Sequence, residues 1–383
     1  MTNSLKYTKS LLDCHIHYPD MHMKDGLMLA CDSLLLDRLN IVCTPDQKRL
    51  SLVPDALHLK AHYPERVFVF GGLDVSAYFR EPLRTGEVLA ENVAFLSQMG
   101  CDGIKMIEGK PEMRKMLPIP DFDSPILEPY WQAMEDQQMP LLMHLNDPEE
   151  FWDAENIPHW AIERGWFYGD GSFVNNEAQY RQMMNVLREH PNLKVIFAHF
   201  FFFSKQLLRL AEWLDEFPNM HIDLVPGIEM YQNFNLDPQT ARDFFLKYED
   251  RILFGTDIGA KALLATPEKG IELQESSERV NLIRHFLECE GEFDLAPQSG
   301  FLFGKPNQTF RGIDLPEATL EKIYFRNFEN LVSVQPKPIN NNLVIAFCMQ
   351  LEQLIKIQGS SQPGIPGDPY IAQKVRAYFQ SLS

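Results

Sequence analysis

Short apolar runs alternate with longer amphipathic stretches along most of the chain. Residues 11–17, 41–44, 67–74, 103–107, 141–145, 194–199, 221–225 and 252–257 read as strands. Each is too short for a helix and is bounded by polar or turn-forming residues. Between them, residues 83–99, 126–138, 177–190, 205–217 and 238–248 carry apolar positions at helical spacing. Several strands follow turn chemistry, as at Gly100-Cys101-Asp102, Pro191-Asn192 and Pro218-Asn219. Strands separated by helices predict a parallel sheet, and eight of them close into a (β/α)8 TIM barrel.

Three segments fall outside this repeat. Residues 146–176 are long and aromatic, with Trp152, Trp160, Trp166, Phe167 and Tyr168. A connection of that length after a barrel strand is usually functional. Residues 261–275 and 290–317 read as polar or Pro/Gly-containing connections. After Val334 a proline-rich segment leads to a helix near 343–357, a Gly/Pro linker over 359–369 and a last helix near 370–381. The expected organisation is a barrel over 1–334 and a C-terminal helical extension over 335–383, packed on the barrel or on a neighbouring subunit.

The 383 residues suit a decorated α/β barrel, and 45% hydrophobic with 23% charged residues is the balance of a globular protein. A net charge of −18 argues against nucleic acid, since a run of phosphates would go unneutralised. No stretch nears the roughly 18 apolar residues of a membrane span. The first ten residues have no apolar segment of a signal peptide. Cys14, Cys31, Cys43, Cys101, Cys289 and Cys348 follow no paired spacing. Most sit in apolar runs, as reduced thiols do, so a cytoplasmic location is expected.

The first strand ends Asp13-Cys14-His15-Ile16-His17. Side chains two apart on a strand share a face, so His15 and His17 can converge on one divalent metal. Taken alone, the pair equally describes core or solvated histidines. Later strands repeat the pattern: PLLMHL ends near His144, VIFAH at His199 and ILFGTD at Asp257. In a parallel barrel the carboxyl ends share one mouth, and catalytic groups come from the ends of several strands.

DCHIH, GIK, MHL, FAHF and FGTD, in this order, resemble the metal-dependent amidohydrolase superfamily. The likeness is to its amidohydrolase-related branch, which includes aminocarboxymuconate semialdehyde decarboxylase, and it runs from about Leu11 to Val332. It takes in EFPNMHIDL and IYFRNFENL. The resemblance implies that His15, His17, His144 and Asp257 ligate one divalent metal, zinc first, with manganese or iron as alternatives. It implies that His199 holds or deprotonates a metal-bound water, with Asp257 also handling its proton. In two-metal relatives a carboxylated lysine bridges the ions. Lys105 has a suitable place for a bridge and a second metal, although a substrate-facing or structural lysine is favoured here.

Lys105, Trp152 and Trp166 are the candidate substrate contacts; Trp152, Trp166 and Tyr168 suit a lid over the mouth and, equally, simple packing of the long loop. Asp147, Glu150 and Glu108 are weaker candidates, and Phe200–Phe203 reads as packing for a loop. The other histidines have no supporting spacing. The leading functional expectation is hydrolysis of a small molecule's C–N or ester bond. The second is non-oxidative decarboxylation of an unsaturated or aromatic carboxylic acid, for which Lys105, Arg80 or Lys261 would supply a cation. A third, of another class, is a barrel that binds metal or ligand without catalysis. The expected partner is a small-molecule substrate, with a homodimer implied by family analogy alone.

Overall fold

Successive strands pair with their neighbours in chain order in the computed structural model, which describes residues 5–46, 49–227, 229–260, 271–294, 309–359 and 370–382. They are β1 (Leu11–His17), β2 (Leu36–Val42), β3 (Val67–Gly72), β4 (Gly103–Gly109), β5 (Leu141–Leu145), β6 (Val195–Phe197), β7 (Met220–Asp223) and β8 (Ile252–Leu253). All are parallel. The last strand returns to the first. Cys14 N donates to Phe254 O at 2.9 Å, His17 N to Ile258 O at 2.8 Å and Asp257 N to His15 O at 2.9 Å. The protein is a (β/α)8 barrel, as its pattern predicts.

Two elements differ from that pattern. β2 begins at Leu36, five residues before the expected run, because Asp37, Arg38 and Asn40 disguise it. Asn40 is buried and donates to Cys14 O at 2.9 Å, so a polar side chain serves the sheet from inside. The expected polar connection over 290–317 contains an antiparallel ribbon, β9 (Glu290–Asp294) and β10 (Thr309–Ile313). Phe293 is the one buried position of β9, and β10 buries Phe310, Gly312 and Ile313, so no alternation shows along β9 among its charged residues.

Alternation along the strands separates two cores. Leu12, Cys14, Val42, Phe68, Phe70, Leu142, Ile196, Ala198 and Leu253 fill the barrel interior, with Phe328 and Leu331 in the same cluster. Residues at the odd phase, such as Val67, Val69, Leu141, Met143 and Phe197, belong to the larger core that includes the surrounding helices. Gly103 makes room for this packing, since a methyl group there would meet the Phe70 ring at 2.5 Å.

The amino-terminal end of the barrel is tied by a buried ion pair. Lys60 Nζ donates to Asp102 Oδ2 at 2.6 Å and to Gly100 O at 2.7 Å, and both side chains are 1% exposed. Asp102 also accepts from Val69 N at 2.8 Å and Lys337 N at 2.6 Å. One carboxylate thereby joins helix Val53–His62, β3 and the segment that leads to the C-terminal helices. Helix Asn341–Gly359 packs on helix Thr85–Met99 through Phe347 and Phe95, rings 5.6 Å apart. Helix Tyr370–Ser381 stacks Tyr378 on His62 at 4.7 Å. All six cysteines are free and buried. No described helix is long and apolar enough to cross a membrane.

Breaking such a pair strands a charge in the core. Asp102→Ala is expected to lower unfolding free energy in urea by about 3–5 kcal/mol. A loss under about 1 kcal/mol, the range of a surface pair, would show that water already reaches Lys60.

Candidate metal centre

His15 and His17 reach the cavity because β1 is irregular. Leu12 and Cys14 face the barrel interior, whereas Ile16 packs outward with Leu11. The register against β2 slips between Asp13 and Ile16. This bulge reverses the phase of alternation, and both histidines join the interior side at the mouth. Asp13 anchors the irregular stretch: Oδ1 accepts from His15 N at 3.0 Å and Thr256 N at 3.2 Å, and Oδ2 from Thr256 Oγ1 at 2.5 Å.

The ligand atoms of His15, His17 and Asp257 all lie within 4.8 Å of one another. His17 Nε2 is 3.1 Å and His15 Nε2 3.6 Å from Asp257 Oδ1. Asp257 lies beyond the end of β8 and has a left-handed backbone, φ 62°. Burial alone would raise its pKa, but the hydrogen bond and charge of His17 and the nearby His15 carry it well below the usual carboxylate range. Two imidazole nitrogens and a carboxylate oxygen are a donor set that suits zinc or a similar divalent ion. His15 Nδ1 is 2.8 Å from Asp223 Oδ2, and with the proton on Nδ1 the Nε2 lone pair is free to ligate. The three residues therefore fit a metal.

His144 stands apart from that trio. Its Nε2 is 3.3 Å from Asp147 Oδ1, and its ring is 4.9 Å from His199. Asp147 in turn accepts from Lys110 Nζ at 2.8 Å and Tyr168 Oη at 2.8 Å. Burial favours a neutral His144, while the Lys110 and His144 contacts hold Asp147 low.

His199 does not end a strand. It opens a turn in which His199, Phe200, Phe201 and Phe202 all have φ between 54° and 59°. Left-handed backbone costs roughly 1–2 kcal/mol per residue, so packing must impose this turn. Phe200 is enclosed by Phe234, Phe244 and Phe245, and Phe201 by Phe197, Tyr180 and Trp213. His199 N donates to Asp223 Oδ1 at 2.8 Å. Phe202 stacks on the His199 ring at 5.2 Å. Burial pushes the His199 imidazole down to about 3, so it is neutral near pH 7.

These groups line a cavity of about 440 Å³ together with Lys105, Lys110, Phe151, Trp160, Trp166 and Phe202. Lys105 Nζ is 3.0 Å from His15 Nε2, and burial brings it down to about 8. Of the two candidate tryptophans, Trp166 lines the cavity. Trp152 packs inside the long loop, its indole N–H donating to Val174 O at 3.0 Å and its ring on Tyr168. Glu150 pairs with Lys205, and Glu108 is buried, with Tyr78 Oη donating to it at 3.4 Å; neither lines the cavity. Arg80 pairs with Asp74 away from it. Lys261 lies outside the described residues.

Four positions at or beside the candidate site had no place in the sequence reading. Asp223 ends β7 just as Asp257 follows β8, so the strand-end rule could have found it. Lys110 follows β4 by one residue and was equally within that rule's reach. Arg279, whose Nη1 is 3.7 Å from Asp257 Oδ2, sits in helix Leu273–Glu288 with no local cue. Glu229, in the cavity wall after β7, has none either.

The sequence model of the amidohydrolase family matches residues 55–327. The fold is similar to an uncharacterized TIM-barrel protein from Bordetella bronchiseptica (TM-score 0.51, 13% identity, 84% of this chain and 98% of that one). It is also similar to 5-carboxyvanillate decarboxylase from Sphingomonas paucimobilis (TM-score 0.50, 12% identity, 85% and 99%). At these identities the likeness is one of fold. No curated protein matches the sequence.

Asp223→Ala should weaken metal binding about 10–100-fold by freeing the His15 ring. Competition with a chromophoric chelator measures this, and an unchanged affinity would remove Asp223 from the site.

Proposed function

The chain belongs to the amidohydrolase family of enzymes, and on that premise we propose that it is a metal-dependent hydrolase cleaving a C–N or ester bond of a small molecule. The observation that carries this reading is the meeting of His15, His17 and Asp257 beside the neutral His199 in one cavity. His15, His17 and Asp257 would hold the ion, zinc by donor type, with His144 the fourth candidate ligand. When bound, a divalent metal lowers the pKa of a coordinated water and polarises a carbonyl oxygen.

The chain's own residues supply the rest. Asp223 sets the His15 tautomer and, through the amide of His199, the height of that imidazole in the cavity. His199 accepts a proton as the water oxygen bonds to the carbonyl carbon. It returns the proton to the leaving nitrogen or oxygen as the old bond breaks. Phe202, stacked on His199, holds the ring and excludes water from one side. Trp160, Trp166 and Phe151 form an apolar wall for a ligand of small-molecule size.

A second reading, decarboxylation, draws on the cations in the same cavity. Lys105 and Arg279 both line it and can hold a carboxylate. Carbon dioxide release from a panel of carboxylic acids, set against hydrolysis of a panel of amides, lactams and esters, separates the two.

Elemental analysis of the purified protein should find about one divalent ion per chain, lost in the His15→Ala/His17→Ala double variant. Near two ions would make Lys105 a carboxylated bridge, and none after reconstitution would sink the mechanism. His199→Ala should keep the ion and lose turnover by about 10²–10⁴-fold. Undiminished turnover in that variant would move the proton-handling role elsewhere.

A further inference from the structure

Arg164 belongs to the long aromatic loop after β5 and lines the same cavity. It is the one exposed side chain in the described wall, whereas His15, Lys105 and His144 are buried there. That contrast puts Arg164 at the rim of the cavity and the histidines at its depth. A ligand that enters can reach both.

Two indole rings hold the guanidinium in place. It lies 5.2 Å from the centre of the Trp160 ring and 5.3 Å from that of Trp166, and the two rings stand at 90° to one another. Both rings line the cavity as well. Indole faces attract a guanidinium at this range, and stacking leaves the N–H edge of its plane free to donate.

The other cations of the wall are engaged within the protein. Lys110 donates to both oxygens of Asp147, Arg279 pairs with Glu275 at 3.0 Å, and Lys105 Nζ is 3.0 Å from His15 Nε2. Arg164 forms no ion pair and no side-chain hydrogen bond with a described residue. Glu163, its neighbour in sequence, faces His159 at 3.2 Å instead. Carboxylates are plentiful in a chain of net charge −18, yet this arginine is oriented at a cavity rim without one. A planar fork of donors so placed suits an oxyanion that arrives with the ligand.

Taking the cavity as the substrate site of the proposed hydrolase, we infer that Arg164 is a specificity-determining residue that binds an anionic group, such as a carboxylate, at the end of the substrate remote from the scissile bond. The class selected is an elongated small molecule with the labile bond at one end and a negative charge at the other.

The hydroxamates of para-carboxybenzoic and para-carbamoylbenzoic acid test this, because both carry a ring and a metal-binding anchor and only the first is charged at its far end. A second pair, longer by a methylene before the far group, covers a wider span. Affinities for the metal-loaded protein are measured by calorimetry at about pH 7.5 and about 0.15 M salt, where distant charges are screened. In at least one pair the wild type should bind the acid roughly three- to tenfold tighter than the amide, the range of an accessible ion pair with bidentate geometry. Arg164→Gln should bring that ratio to about one, and Arg164→Lys, a point charge without the fork, should keep part of it. Arg188→Gln removes a cation paired with Glu216 away from the cavity and should leave the ratio unchanged. A wild type without the preference in either pair overturns the inference, as does a ratio that survives in Arg164→Gln or falls equally in Arg188→Gln. Loss of both affinities by one factor in Arg164→Gln also overturns it, by making the arginine a support for the loop. Failure of the hydrolase reading shows separately, as a loaded protein without turnover, and leaves this binding comparison intact.

Discussion

One buried carboxylate orders the mouth of the barrel. Asp223 touches His15 Nδ1, the amide of His199 and, at 3.2 Å, the amide of Val225. Through these contacts β1, the turn after β6 and the end of β7 are held at fixed spacing. Its pKa is pushed up to about 6 by burial, partly offset by the fields of His199 and Lys105. A group in that position is satisfied only when all its donors are in place, so the site is assembled as a unit.

Backbone irregularity is concentrated around the same point. The β1 bulge, the left-handed turn from His199 to Phe202 and the left-handed Asp257 all lie at the carboxyl ends of strands. Each aims a polar side chain where regular alternation would not. The energy for this comes from the aromatic packing behind the turn, in which Phe200 and Phe201 are fully buried. The rigid part of the fold thus supports the strained part, a division common in sites that must be preorganised.

The opposite end of the barrel has other work. Lys60, Asp102 and the amides they reach clamp helix, strand and C-terminal segment without any group directed at a cavity. In barrels of this kind the amino-terminal face serves stability and the carboxyl face chemistry. The long aromatic loop links the two concerns, because Tyr168 and Trp166 anchor it to Asp147 and Lys110 at the cavity wall.

Much of the architecture was legible in the chain because strand and helix leave different periods in the sequence. Seven of the expected strands coincide with observed ones to within a few residues, and β2 was displaced because Asp37, Arg38 and the buried Asn40 interrupt its apolar pattern. His15, His17, Asp257 and His199 were legible as polar ends to apolar runs, a pattern set by local sequence. Their grouping was not. The separation of His144 from the trio, the packing of Trp152 away from the cavity and the arrival of Arg279 and Glu229 depend on contacts between residues far apart in the chain. So does the φ of Asp257 and of the turn at His199. The sequence by itself determined which apolar strands finish in ligand-type side chains, since the order of apolar runs and their polar ends is a local property. Only the tertiary structure decided which of them meet, because bulges, left-handed turns and buried hydrogen bonds are imposed by neighbours that no local window contains.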